Sequence, residues 1–482
     1  MLMHSASLWR VWISWMAACL LTCSLAAQVD RYELGLRLRS FERRLDTVTD
    51  EARRLEAFDA LDRAVQAFFR LDTKTVAKAI DEADCALDGG DWSVAMRYAH
   101  SLQWQLDARL VSAGDAAVTG KLSVAYRIED EDFEPEDWSL VVRVPGSDQA
   151  TTILLDELPQ AVSVPLVGVP VGDHMLKWQL VQGAQVLLER EQALSVVTNL
   201  AARMAGLVKA RGLAEDQEPA TIESKTLPSL IRMLAGMQRR RAAETVLPGA
   251  EILAEAEALS AWMLESQAEP EGVGTTAFYG GHRPGSFRLR VPVGKRTSSV
   301  RLFVPKVEAK APLVLALHGA GGSENLFFDG YGDGRVVDLG AERSWLVVAP
   351  RLTLGSLDCP ALVEALARRF PVDTKRVLMV GHSMGAMQAI TNAVRAPERY
   401  QAVAALGGGG RVSRSNGLAK LRFFVGVGTK DFARSSASGL HRALKAAGAA
   451  SDFREYAGVE HLAIVQLALA DVFRFFDEAL AR

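Results

Sequence analysis

In the stretch VLMVGHSMGAMQAI (377–390), Ser383 has Gly381 two residues before it and Gly385 two after. An apolar, strand-like run ends at the first glycine, and a helix-forming run begins just past the serine. A nucleophile that must stand proud of a sheet needs this pattern. The backbone turns sharply, the serine takes a strained conformation, and the positions two before and two after approach other backbone too closely for a Cβ. The turn also aims the amino end of the next helix at the reaction centre, where its dipole favours negative charge. The GxSxG string alone is weak, since 39 glycines in 482 residues make one by chance about one time in five. Its place between a strand and a helix gives it weight.

A hydroxyl is a poor nucleophile at its own pKa, so it needs a base, and the base needs an orienting acid. Where the serine sits on such an elbow, the chain order is serine, acid, histidine. Two histidines follow Ser383: His441, in the helical window SGLHRALKAAG, and His461, in the loop YAGVEHLAI. A base belongs on a loop at the sheet edge, which selects His461 and puts His441 on a helix surface. Asp431 follows the strand-like RFFVGVG through Thr429-Lys430, where catalytic groups gather at strand carboxyl ends. Glu460 competes for the acid role, but neighbouring side chains of an extended segment point apart, so it should not face His461. A developing oxyanion needs two convergent backbone N–H groups. One is expected from Met384, and the other from Gly319 or Ala320 in the loop LHGAGGSEN. His318 and His382, inside the HG and GxSxG loops, are expected to pack rather than to bind metal. No CxxC, HExxH or EF-hand pattern calls for a metal or other cofactor.

These groups need a scaffold. After residue 275, continuous apolar strands (PLVLALHG, WLVVAP, RVLMVG, AVAALGG, RFFVGVG) alternate with helical windows. That implies an α/β fold, a parallel sheet covered on both faces. SFRLRVPVG and SSVRLFVP read as a hairpin ahead of it. HGAGG, GHSMGA, the GTKD turn and the EH pair stand in the order found in α/β-hydrolases. The region 276–482 resembles the small secreted esterases near the polyhydroxyalkanoate depolymerases, feruloyl esterases and carboxylesterases. The resemblance implies Ser383 as nucleophile, Asp431 as acid and His461 as base, with no cofactor. It departs from the family in two ways. Only GGRVSRSNGLAK separates two late strands, so the long cap of many members is missing and the site is open unless preceding segments cover it. Met384 stands where depolymerase-like members often have a polar residue, which bears on substrate rather than chemistry.

The chain is too long for one ordinary domain, so about two to four units are expected. Arg10 precedes the uncharged run VWISWMAACLLTCSLAA (11–27), the pattern of a secretory signal peptide with a cleavage site near Ser24-Leu25-Ala26. An uncleaved anchor, or a lipoprotein attached through Cys19, are the alternatives. The mature protein is thus expected to be secreted or periplasmic and free of the membrane. Residues 28–115 read as helical. A single apolar face runs from Arg31 to Leu71, Gly89-Gly90 ends a second helix, and Asp91 can cap a third through Ala108. No titratable groups cluster along that sequence, so a bundle without chemistry is expected. Residues 116–198 break into short alternating segments, the signature of an antiparallel β-sandwich, with Trp138 and Trp178 more readily core than carbohydrate-binding. Residues 199–275 return to helix, broken by Pro219, Pro228 and Pro248, and end in the linker AEPEGVG.

A net charge of −3 gives no electrostatic case for nucleic acid or anionic membrane. Cys85 and Cys359 fall in different units and read as small hydrophobes rather than a disulfide framework. The expected partner is a small or polymeric ester, with polysaccharide or cell-envelope contact left to the N-terminal units. Two rivals remain. A prolyl-oligopeptidase-like peptidase shares the triad order, but its propeller repeats are absent from the sequence. A non-catalytic binding protein would have no reason to keep every element of the machinery.

Overall fold

The long apolar face from Arg31 to Leu71 folds as two helices, not one. In the computed structural model, which describes residues 29–129, 133–146, 150–217, 219–239, 244–268, 277–353, 355–412 and 417–481, α1 spans Arg31–Thr47 and α2 spans Glu51–Phe69. The signal-like segment and most of the AEPEGVG linker lie outside the described residues. The break falls where Asp50 accepts the Arg53 amide and starts a fresh helix, a local cap that periodicity does not register. Helix α3 (Thr73–Asp88) ends at Gly89, whose φ of 105° supplies the left-handed cap. Helix α4 (Val94–Ser101) is capped by Ser93 rather than Asp91 and stops well short of Ala108. From there Leu102, Trp104 and Leu106 alternate inward as strand β1 (Leu102–Leu106), a period of two inside what reads as a helical window.

Strands β2 (Leu110–Ser112), β3 (Ala117–Val124), β4 (Trp138–Arg143), β5 (Ala150–Leu154), β6 (Gln160–Pro165), β7 (Gly172–Gln182) and β8 (Gln185–Val197) complete two sheets with orders β1-β3-β6 and β2-β8-β7-β4-β5. All their pairings are antiparallel except β2 with β8. Trp104, Trp138 and Trp178 are buried between the sheets, so the tryptophans serve the core. Three helices follow: α5 (Leu200–Glu215), α6 (Ile222–Met237) and α7 (Gly249–Ala268). Pro228 lies inside α6 instead of breaking it. That helix is held by a capping box at Thr221 and Ser224 and by burial of Leu227, Leu230 and Leu234. Tertiary packing here outweighs the lost backbone donor.

The C-terminal layer is an eight-stranded sheet ordered β16-β15-β14-β13-β11-β12-β10-β9. Its antiparallel edge is the hairpin β9 (Gly285–Val293) and β10 (Arg296–Val304). The rest are β11 (Ala311–Leu317), β12 (Leu346–Pro350), β13 (Val372–His382), β14 (Ala402–Leu406), β15 (Arg422–Gly428) and β16 (Ala450–Tyr456). β11 through β16 pair in parallel. Between them run α8 (Leu326–Asp329), α9 (Tyr331–Glu342), α10 (Cys359–Ala367), α11 (Met384–Arg395), α12 (Arg434–Ala446) and α13 (Ile464–Leu480).

The continuous apolar strands are explained by two separate cores. Leu313, Leu315, Val377, Met379 and Val403 point to a core shared with α10–α12 and with α5–α7. Val314, Ala316, Leu378, Val380 and Ala404 point to a core shared with α9 and α13 and with Phe41, Leu45, Phe58 and Leu61 of α1 and α2. Both helical regions that precede the sheet are therefore built onto its faces. Phe327, Phe328 and Tyr331 are buried in the second core.

The N-terminal helices do gather charge, contrary to the sequence-based expectation. Arg37 of α1 donates to Glu33 at 3.0 Å, to Asp81 of α3, and to the carbonyls of His100 and Leu102 at 2.9 and 3.0 Å. Arg190 of β8 donates to Glu33 at 3.1 Å and Asp81 at 2.9 Å, and the Tyr126 hydroxyl donates to Asp81 at 2.7 Å. The groups come from positions up to 157 residues apart, so no local window could have contained them.

Candidate active site

Strand β13 delivers the serine, and sterics make the elbow. Ser383 sits at φ 54°, ψ −113°, a region that costs a non-glycine residue about 1–3 kcal/mol and persists only when its surroundings enforce it. A Cβ on Gly381 would lie 2.3 Å from the Gly385 carbonyl oxygen, and one on Gly385 would lie 1.9 Å from that of Leu317. Either side chain would push the elbow off the end of β11. Met384 is the first residue of α11, so its N–H is one that no helical carbonyl accepts.

Strand β15 delivers the carboxylate through its terminal turn, and the loop after β16 delivers the imidazole. His461 Nδ1 lies 2.8 Å from Asp431 Oδ1, with both side chains buried. Asp431 Oδ1 also accepts the Ala433 amide at 2.7 Å, which fixes the carboxylate plane. An ionised carboxylate only accepts, so Nδ1 carries the proton and Nε2 is the free basic nitrogen. Nε2 is buried with no hydrogen-bond partner among the described residues. It is thus not bonded to the Ser383 hydroxyl in this conformation. Such contacts are often long before substrate arrives. His441 is bonded to Ser451 at 2.9 Å, away from this cluster.

Glu460 turns away from the imidazole. Its two oxygens accept the Leu462 and Ala463 amides at 2.7 and 2.5 Å, and burial first of all pushes its carboxyl up to about 8. It closes the loop that carries the base and is no orienting acid.

His318 locks the glycine loop. Its Nε2 accepts the Leu352 amide at 2.9 Å, so its Nδ1 must carry the proton that reaches the Gly319 carbonyl at 2.7 Å. Burial lowers its pKa and keeps it neutral, as this double role requires. Gly319 and Ala320 follow β11 directly, beside the elbow, since Gly385 packs on the carbonyls of Leu317 and His318.

Sequence reasoning missed the role of His382. Its Nε2 lies 2.8 Å from the His461 carbonyl, which can only accept, so Nδ1 receives the Tyr331 hydroxyl at 2.6 Å. Burial, chiefly, pushes the His382 pKa well below its usual value and keeps the ring neutral. The chain Tyr331–His382–His461 therefore ties the elbow to the base loop. A histidine inside the GxSxG string was the signal, but its partner lies 51 residues upstream.

The Esterase family model matches residues 360–418, the segment containing the elbow. Over those residues the chain is similar to esterases. No curated protein matches the chain. Among solved structures, an S-formylglutathione hydrolase from Agrobacterium tumefaciens is 18% identical, with a TM-score of 0.33, over 40% of this chain and 94% of that one. A ferulic acid esterase is 19% identical, with a TM-score of 0.35, over 40% and 97%. A feruloyl esterase module from Clostridium thermocellum is 15% identical, with a TM-score of 0.34, over 42% and 94%. Each of these three matches covers 40–42% of this chain.

Proposed function

We propose that the chain is a serine hydrolase of carboxylic esters, exported from the cytoplasm and acting through an acyl-enzyme. Ser383 Oγ attacks the ester carbonyl while His461 Nε2 takes its proton. Asp431 holds the Nδ1–H and stabilises the imidazolium that forms. The Ala320 or Gly319 amide and the Met384 amide hold the oxyanion, each such donor being worth about 3–4 kcal/mol of barrier. His461 returns the proton to the leaving alcohol, and water, activated by the same nitrogen, releases the acid. Export rests on the Arg10 and 11–27 pattern of the sequence.

One observation carries the reading. A buried imidazole, held by Asp431 at one nitrogen and left unpaired at the other, belongs to a chain whose only GxSxG serine is strained between two glycines that admit no side chain. A serine-reactive phosphonate should label the protein once, on Ser383. A chromogenic short acyl ester should give a burst that Ser383→Ala abolishes. Equal slow hydrolysis by both proteins would end the proposal.

A further inference from the structure

Helices α1 and α2 reach three of the loops around the candidate site. Arg31 donates to the Gly321 carbonyl, and the Phe68 ring lies where a Cβ on Gly321 would come within 2.5 Å of it, so both hold the oxyanion loop. Asp59 pairs with Lys430 beside Asp431. Leu55 packs on Gly458, three residues before His461, where a Cβ would lie 1.9 Å from its methyl. The missing C-terminal cap is thus replaced by helices from the other end of the chain.

At the end of α2, Phe69 is 44% exposed and meets Phe432 edge-on at 6.0 Å between ring centres. Phe432, 61% exposed, lies against the His461 imidazole at 4.2 Å. Two large rings left open to water side by side are a loss unless something covers them. Their position says what. The imidazole must hand its proton to the leaving oxygen, so a ring against the imidazole flanks the alcohol half of the ester.

We propose that Phe69 and Phe432 form the subsite for the leaving alcohol, and that the N-terminal helix α2 thereby helps select esters of flat, apolar alcohols. This rests on the ester-hydrolase reading. The acyl half, held between the elbow and the glycine loop, does not meet this ledge.

The test uses the full chain and two ester series: acetates of ethanol, hexanol and 1-naphthol, and methyl esters of acids of matching size. The wild-type ratio of kcat/KM for naphthyl over ethyl acetate should fall about tenfold in Phe69→Ala and in Phe432→Ala. Phe69→Tyr should restore it, since the ring remains. Circular dichroism and thermal melting on each variant separate loss of fold from loss of preference, and Phe69→Leu gives a second variant that keeps bulk without the ring. A ratio within about twofold of wild type in both alanine variants, or a change confined to the acid series, overturns the subsite. A wild type that hydrolyses no ester at all overturns the underlying reading and the subsite together, and its own rate shows which case holds.

Discussion

Two buried ionic clusters of the molecule differ in one respect. At the junction with the sandwich, Glu33, Arg37, Asp81, Arg190 and Tyr126 satisfy one another, and none of them keeps a buried polar atom without a partner. At the sheet edge, Asp431 and His461 make one good bond and leave Oδ2 and Nε2 buried and unpaired among the described residues. An unpaired buried polar atom costs about 1–3 kcal/mol. On the proposed ester-hydrolase reading, the two at this strand end are groups held for a transition state. A saturated cluster at a junction between layers holds the layers. The two clusters should therefore fail differently.

The largest difference is expected in catalysis. Asp431→Asn keeps the shape of the side chain but presents an amide that can force the wrong imidazole tautomer. It should lower kcat on a short acyl ester by about 10⁴, while the urea unfolding midpoint moves little. If the variant loses stability and activity in step, the Asp431–His461 pair belongs with the structural cluster and the contrast collapses.

The junction should show the reverse. Arg37→Met leaves Glu33 and Asp81 buried with only Arg190 to balance them. Breaking a buried pair in this way costs about 3–5 kcal/mol, and the first urea transition should move accordingly. The activity of the remaining folded protein should stay near wild type. A kcat that falls while the transition stays in place would show that the junction reports to the site.

The parts legible in the sequence were those whose demands are local. The elbow needs two glycines at fixed offsets, and buried parallel strands need unbroken apolar runs, so Gly381, Gly385 and β11 through β15 stand out in the residues themselves. Asp431 and His461 followed from chain order and loop placement. Elsewhere the window misled. HSLQWQLDA can be read with either period, and burial of Leu102, Trp104 and Leu106 between sheets settles it as strand. Asp50 splits a face that looks continuous. What could not be read were contacts between positions remote in the chain: Arg31 with Gly321 and Asp59 with Lys430, 290 and 371 residues apart. The contacts of α1 and α2 with the loops, the Phe69–Phe432 pair and the Tyr331–His382 tie are all of this kind.

Glu460 gives the finest test, because it adjoins His461 and yet belongs to the saturated type. Its carboxyl is pushed up to about 8 by burial, against an unfolded value near 4.5. The folded state therefore keeps a proton that the unfolded state has released. The resulting stability is complete below about pH 4.5 and is lost as pH rises toward 8, at no more than about 1.4 kcal/mol per unit. Glu460→Gln cannot titrate, so the wild-type-minus-variant stability difference should fall across that window. Glu42 is also pushed up to about 8 by burial, but it is present in both proteins and cancels in the difference. The amide offers one acceptor oxygen where the carboxyl offers two to Leu462 and Ala463, so the variant should start about 1 kcal/mol lower at pH 5, draw level within about one pH unit and be the more stable of the two by pH 8. Its kcat should stay within a few-fold of wild type, since Asp431 holds the imidazole. Parallel stability curves would mean that Glu460 ionises freely in the fold. A loss of kcat approaching that of Asp431→Asn would make it a partner of the base, and the division between the two kinds of cluster would then fall within a single loop.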